Sequence, residues 1–220
     1  DVKGLVRENI PKRKGGDKMA KRSGPGESTY TVYDRDIAAR AKAAGYLGLC
    51  LTVDTQVYSR RERDLLKRYI PRSGTRVDEA LVRDEGPSTL QPAFSWPFID
   101  RLKAKLEMPL ILKGIACAED AVLAVEHGVD VVYVSNHGGR QLDHGRGALD
   151  MLPEVVEAVA GRATIVVDGG VLRGTDVLKA LALGADVVGV GRLEGLAMAA
   201  GGADGVVRML ELLENEMRIN

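Results

Sequence analysis

The sequence predicts an α/β fold in which a parallel sheet is covered by helices. Three observations carry this. Short apolar runs alternate with helical patterns five times, mostly through short connections. Glycines close most of the helical stretches. Polar residues gather at the C-terminal ends of the apolar runs, where parallel α/β folds build their sites. An open doubly wound sheet and a closed barrel both satisfy this pattern.

The elements follow in order. Residues 1–33 are basic and without periodicity, and are expected to be irregular; the first 22 carry eight Lys or Arg against Asp1, Glu8 and Asp17. From Asp34 to Ala44 a helix is predicted, with Asp34 as cap and Gly45 as stop. Leu47–Val53 reads as a strand buried on both faces. Residues 59–95 are charged and aperiodic, a connection of the length expected for a lid, a binding loop or a disordered segment. Phe98–Leu106 reads as a helix with Pro97 in its first turn.

Four regular units follow. Leu110–Ile115 is a predicted strand and Ala118–His127 a helix closed by Gly128. Val131–Ser135 and Leu149–Ala160 repeat the pattern, with Gly161 as stop. Thr164–Asp168 and Gly174–Leu183 repeat it again, ended by Gly184. Val187–Gly191 leads into a helical tail reaching about Arg218.

Composition narrows the class. The 220 residues carry 31 Lys+Arg and 31 Asp+Glu, so net charge gives no reason to expect nucleic acid or an acidic membrane as partner. The basic start has no aromatic stacking platform beside it. Cys50 and Cys117 lie in or beside apolar runs and read as buried thiols in a reducing compartment, with no metal-ligand cluster around them. A cytoplasmic location is the expectation.

The chemistry-bearing residues sit where the runs end. Thr52 and Asp54 end the first; Lys113 and Gly114 the second; Ser135, Asn136 and His137 the third; Asp168, Gly169 and Gly170 the fourth; Gly191 and Arg192 the fifth. Lys113, inside LILKGI, either pairs with a neighbouring strand or contacts a bound anion or electron-rich ring. DGGVLRG and GVGR are two glycine-arginine loops, either tight turns with solvated arginines or, with Arg173 and Arg192 as forked donors, a phosphate site. In SNHGGRQLDHG, His137 precedes two glycines that leave it open to a ligand, with Arg140 three residues on. A histidine, an orienting carboxylate such as Asp54 and an arginine for an anion form a general-base arrangement. His127 reads as structural and His144 as solvated. Arg60 and Arg61 are either surface charge or reach the same mouth as Arg140.

LTVDTQVYSRRERD, LILKGI, VSNHGGRQLD, VVDGGVLRGTDVLKALALGAD and VGVGR, in this order, resemble the FMN-dependent 2-hydroxy acid oxidases and dehydrogenases. That family includes glycolate oxidases, lactate oxidases and mandelate dehydrogenases. The resemblance is dense from about Gly45 to Leu210. It implies a TIM (β/α)₈ barrel, of which residues 34–220 carry about the last five β/α units. It implies FMN as cofactor, with Thr52 and Ser135 on the flavin ring and Lys113 at its N1–C2=O edge. Asp168, Gly169, Gly170, Arg173, Gly191 and Arg192 would hold the ribityl chain and phosphate. His137 would be the base, oriented by Asp54, while Arg61 and Arg140 grip the carboxylate of an L-2-hydroxy acid. Oxygen or another electron acceptor, and a homo-oligomer, are implied as partners.

There are departures. STYTVYDRD lacks the glutamine of the family's Gln-x-Tyr segment, so Tyr30 and Tyr33 are not assigned to the substrate. The family's first three strands have no counterpart in the sequence. A catalytically inactive barrel fragment is therefore one alternative, and another FMN- or phosphate-binding barrel, of the isopentenyl diphosphate isomerase or inosinate dehydrogenase type, is a second.

Overall fold

The computed structural model describes residues 38–54, 66, 95–142 and 144–220. The irregular segment 1–33, the Asp34 cap, Tyr30, Tyr33, Arg60, Arg61 and nearly all of the connection 59–95 lie outside the described residues.

A short helical stretch spans 38–43 and ends at Gly45, whose φ of +82° is left-handed. Then come β1 (Leu49–Thr52), α1 (Trp96–Lys103), β2 (Leu110–Ile115), α2 (Ala118–Glu126), β3 (Val131–Val134), α3 (Ala148–Val159), β4 (Thr164–Asp168), α4 (Gly174–Ala182), β5 (Val187–Gly189) and α5 (Arg192–Ile219). The predicted units are all present, with ends displaced by a few residues. α1 begins at Trp96, with Pro97 in its first turn, and stops at Lys103, while Leu106 still packs against the core. The helical tail is two helices across a kink, because Gly201 and Gly202 leave helical geometry.

All strand pairs are parallel and their order is β1-β2-β3-β4-β5. This sequential order decides between the two predicted architectures. A doubly wound sheet reverses direction once and covers both faces. Right-handed crossovers that always step the same way place every helix on one face, as in a barrel.

Burial along the strands shows the same asymmetry. Leu110, Leu112, Val132, Val134, Ile165 and Val167 are buried and meet Ala121, Ala124, Leu152, Val155 and Val159 in one core between sheet and helices. Alternate residues point the other way, since successive strand side chains take opposite faces. That inner face carries Cys50, Thr52, Ile111, Lys113, Tyr133, Val166, Asp168, Val187 and Gly189, in register across the five strands. It is less buried, and Val187 is 50% exposed. Two expectations are corrected here. β1 is not buried on both faces: Leu49 and Leu51 pack on the core while Cys50 is exposed. Nor are the cysteines both buried, Cys50 being exposed on the inner face and Cys117 only partly covered.

Register is tied by a repeated acid. Gly128-Val129-Asp130 and Gly184-Ala185-Asp186 each precede a strand. The Asp130 carboxylate accepts the Leu110 N–H at 2.7 Å, and that of Asp186 accepts the Ile165 N–H at 2.8 Å. Each acid thereby pins its strand to the start of the preceding one. Burial works against the ionised form of Asp130, but Lys103, which hydrogen-bonds it, and the Leu110 N–H outweigh this and hold its carboxyl below the ordinary value. A depressed folded-state value means that the stabilisation is present above the unfolded-state carboxylate range and disappears as pH falls through the folded value. Asp130→Asn is expected to destabilise the chain at neutral pH. It is also expected to flatten the acid limb of stability against pH, measured by urea unfolding between neutrality and about pH 3. An unchanged acid limb would refute the assignment.

Candidate active site

The strand ends converge as the polar pattern predicts. Ser135, fully buried just past β3, is the hub. Its hydroxyl donates to Asp168 Oδ1 at 2.6 Å, accepts from Lys113 Nζ at 2.8 Å, and lies 3.2 Å from the His137 backbone N–H. Lys113 Nζ also stands 3.2 Å from Asp168 Oδ2. Lys113 on β2 thus pairs across β3 with Asp168 on β4, which offsets much of the cost of covering its charge. The pairing reading of Lys113 is the one seen, and the pair lies on the inner surface of the sheet. In register on β1, Thr52 lies beside Lys113.

His137 lies at a second centre. Its Nδ1 is 2.6 Å from Asp54 Oδ2, joining residues 83 positions apart. Asp54 is largely buried, while His137 is 30% exposed. A carboxylate in its ionised form only accepts, so Nδ1 is the donor of this contact, and in the neutral ring Nε2 is then the nitrogen with the lone pair. His137 has φ +55°, and Gly138 and Gly139 follow at +65° and +72°. A left-handed histidine is strained and persists where surrounding contacts impose it. Here the Asn136 side chain supplies two of them, accepting from the Gly139 N–H at 3.1 Å and donating to the Arg146 carbonyl at 2.9 Å. The Arg192 guanidinium supplies another, donating to the Gly138 carbonyl at 3.1 Å.

Asp54 reaches His137 because of Gly114. The register between β2 and β3 shifts between Lys113 and Ile115, so Gly114 is a bulge, with φ +109°. A Cβ there would stand 2.7 Å from Asp54 Cβ and Cγ and 2.9 Å from its backbone nitrogen. Only glycine leaves that space. Asp54 Oδ1 is buried and has no hydrogen-bond partner among the described residues.

The two glycine-arginine loops differ. Gly191 and Arg192 open α5, and at Gly170 and Gly191 no atom of the described residues beyond the chain neighbours lies within 4 Å of the place a Cβ would take. That leaves backbone free to approach an anion, with Arg192 already at the His137 loop. Arg173 goes elsewhere. Its Nε lies 3.6 Å from Glu216 on α5, and Glu216 also accepts the Gly174 N–H at 2.7 Å. The structure brings together Asp54, His137, Lys113, Ser135, Asp168 and Arg192, and does not bring Arg173 to them. Arg140 is exposed two residues beyond Gly138. His127 is structural, pairing with Asp100 at 2.5 Å and stacking on Trp96, and His144 is exposed.

Two contributors were not assigned from sequence. Asp176 accepts from the Leu172 and Arg173 N–H groups, both at 3.1 Å, and so shapes the loop after Gly170. Those donors, led by Leu172, keep its carboxyl below the ordinary value. The final Asp of DGGVLRGTD was the available signal. Tyr133, on β3, carries no motif signal. A cavity of 480 Å³ opens beside Asp54 and Ser135, but its floor is Ile99, Leu112 and Met151, on the helix side of the sheet and away from Lys113.

Comparison with known proteins agrees with this geometry. The model of the FMN-dependent dehydrogenase family matches residues 28–220. An L-lactate oxidase of Nostoc sp. (strain PCC 7120 / SAG 25.82 / UTEX 2576) is 41% identical over 200 residues, covering 84% of this chain and 55% of the relative. A peroxisomal (S)-2-hydroxy-acid oxidase of Oryza sativa subsp. japonica is 43% identical over 207 residues, covering 86% of this chain and 56% of the relative. Among solved structures, mandelate oxidase with (S)-2-phenylpropionate superposes with a TM-score of 0.72 at 39% identity, over 83% of this chain and 52% of that one. The chain spans about half the length of the relatives it matches. Its five β/α units are a portion of a (β/α)₈ barrel. With the histidine-aspartate pair, the lysine cluster and the last glycine-arginine loop all at one end of that sheet, the chain belongs to the FMN-dependent dehydrogenase family.

Proposed function

We propose that this chain carries the base and cofactor-facing half of a site that oxidises an L-2-hydroxy acid to the 2-keto acid with FMN. The observation that carries the reading is the 2.6 Å His137–Asp54 contact beside the Lys113–Ser135–Asp168 cluster, on one end of one parallel sheet. The residues suit FMN in chemistry. Gly170 and Gly191 leave backbone open to a phosphate, with Arg192 as forked donor. Gly169 and the Asp168 carboxylate suit the ribityl hydroxyls. Thr52, Lys113 and Ser135 offer a hydroxyl pair and a cation to the flavin ring. Arg173 joins the phosphate only by exchanging its Glu216 contact.

When bound, FMN would accept the two electrons and one of the two protons that leave the substrate, the other going to His137. The protein residues do the rest. Arg140 and, from its motif alone, Arg61 hold the substrate carboxylate by paired charge-assisted hydrogen bonds. That orients the α carbon. His137 takes a substrate proton at Nε2, and Asp54 holds the ring and stabilises the imidazolium. Lys113 provides positive charge where negative charge collects. Oxygen or another electron acceptor would be the second substrate.

The test is the visible spectrum of the 220-residue chain with FMN, before and after anaerobic L-lactate, glycolate and L-mandelate. Bleaching of bound flavin by one of them is expected. A second reading, a folded chain that does not retain FMN by itself, is favoured by the half-exposed inner face and by the unpaired edges of β1 and β5 among the described residues. Loss of all flavin on gel filtration would establish it.

A further inference from the structure

Tyr133 is a half-buried phenol that the chemistry above does not use. It stands beside Lys113 in the β2–β3 register, facing the same inner surface. Among the described residues the Lys113 ammonium faces Ser135 Oγ at 2.8 Å, Asp168 Oδ2 at 3.2 Å, and the Tyr133 ring, whose centroid is 5.0 Å away. The Tyr133 hydroxyl lies on the Asp168 side of the ammonium, both bordering the space beside Gly189. Room for that hydroxyl comes from Gly189, which is in register with Asp168 on the next strand. A Cβ at 189 would stand 2.4 Å from Tyr133 Oη and 3.2 Å from Asp168 Cβ. Strands β2 to β5 therefore each contribute one residue to a single arrangement.

We propose that Tyr133 is a positioning residue for the Lys113–Asp168 pair, with its ring against the ammonium and its hydroxyl on the carboxylate. An ammonium over an aromatic face is attracted by the ring quadrupole, more strongly where water is excluded. The hydroxyl acts on the other partner. By donating to Asp168 it shares the carboxylate's negative charge, so less of the lysine's positive field is cancelled on the open side. The phenol is suited to this. Burial first, and then the charge and hydrogen bond of Asp168, push its ionisation well above the ordinary tyrosine value, so it stays a neutral donor. That this field acts on FMN rests on the function proposed above; the positioning itself is a property of the chain alone.

Two measurements on the 220-residue chain, neither using FMN, test it. In the first, Lys113 is acetylated competitively with acetic anhydride at neutral pH and its peptide is quantified by mass spectrometry. Tyr133→Leu is expected to raise its labelling rate about tenfold, and Tyr133→Phe, which keeps the ring, to restore it to within about threefold of the parent. Equal rates for parent and Leu variant, or for Phe and Leu variants, overturn the proposal. In the second, phenolate absorbance is followed against pH, the Tyr133 component being the difference from Tyr133→Phe. Asp168→Asn is expected to lower the midpoint of that component in part, the share owed to burial remaining, and an unmoved component overturns the proposal. Should Tyr133→Leu fail to fold, the titration decides. Flavin loss in the spectral test, with both results here as expected, would sink the functional reading and leave this one standing.

Discussion

Replacing His137 with glutamine is expected to slow flavin reduction by a 2-hydroxy acid about 10²- to 10⁴-fold, the usual contribution of a positioned general base. FMN affinity should stay within about threefold, because the side chain's hydrogen bond goes to Asp54 and not to the cofactor-facing cluster. Glutamine is close in size and still offers an N–H to the Asp54 carboxylate, so the loop need not rearrange. What it lacks is a titratable nitrogen in the place of Nε2. Stopped-flow reduction of the FMN-loaded chain and flavin-fluorescence titration measure the two quantities separately. Equal loss of binding and chemistry would mean that His137 shapes the cofactor site and is not the base.

The second large effect is expected at a residue without functional groups. Gly114→Ala should destabilise the chain by about 1–3 kcal/mol, from a non-glycine residue forced to φ +109°. The collision with the Asp54 side chain and backbone adds to this. Since Asp54 must move to admit the methyl group, flavin reduction should fall as well. Urea unfolding gives the first quantity and stopped-flow reduction the second. The origin of the kinetic loss is checked in an Asp54→Asn background. If Gly114 acts through Asp54, its substitution should cost little further rate there, and the two changes should be markedly non-additive. Full additivity would show that the bulge acts by another route.

Much of the fold was legible in the sequence because its signals are local. Leu110–Ile115 and Thr164–Asp168 match the observed strands, since apolar runs of that length bounded by turn residues admit few other structures. Gly128, Gly161 and Gly184 end their helices with positive φ, as their positions predict. Motif residues Asp54, Lys113, Ser135, His137 and Asp168 were legible for a related reason, because in a parallel sheet they share one end. The partnerships were less so. Tyr133 sits in the apolar run VVYV, and no spacing rule links it to a lysine 20 residues earlier or an aspartate 35 later. Arg173 looked equivalent to Arg192, but its Nε stands 3.6 Å from Glu216, more than 40 residues downstream, a contact no local spacing signals.

By itself the sequence determined the number and order of the β/α units and the end of the sheet at which chemistry gathers, since each depends on periodicity and turn chemistry within about ten residues, while the family came from the resemblance of its ordered motifs. Tertiary structure bore out the sequential barrel order that the resemblance implied, and alone decided that Cys50 is exposed and that Gly114 bulges to admit Asp54 to His137. It also decided that Tyr133 and Asp168 share Lys113. The reason is physical. These contacts depend on strand register and crossover direction, which arise when distant segments pack, and a one-residue shift would send every one of these side chains to the other face.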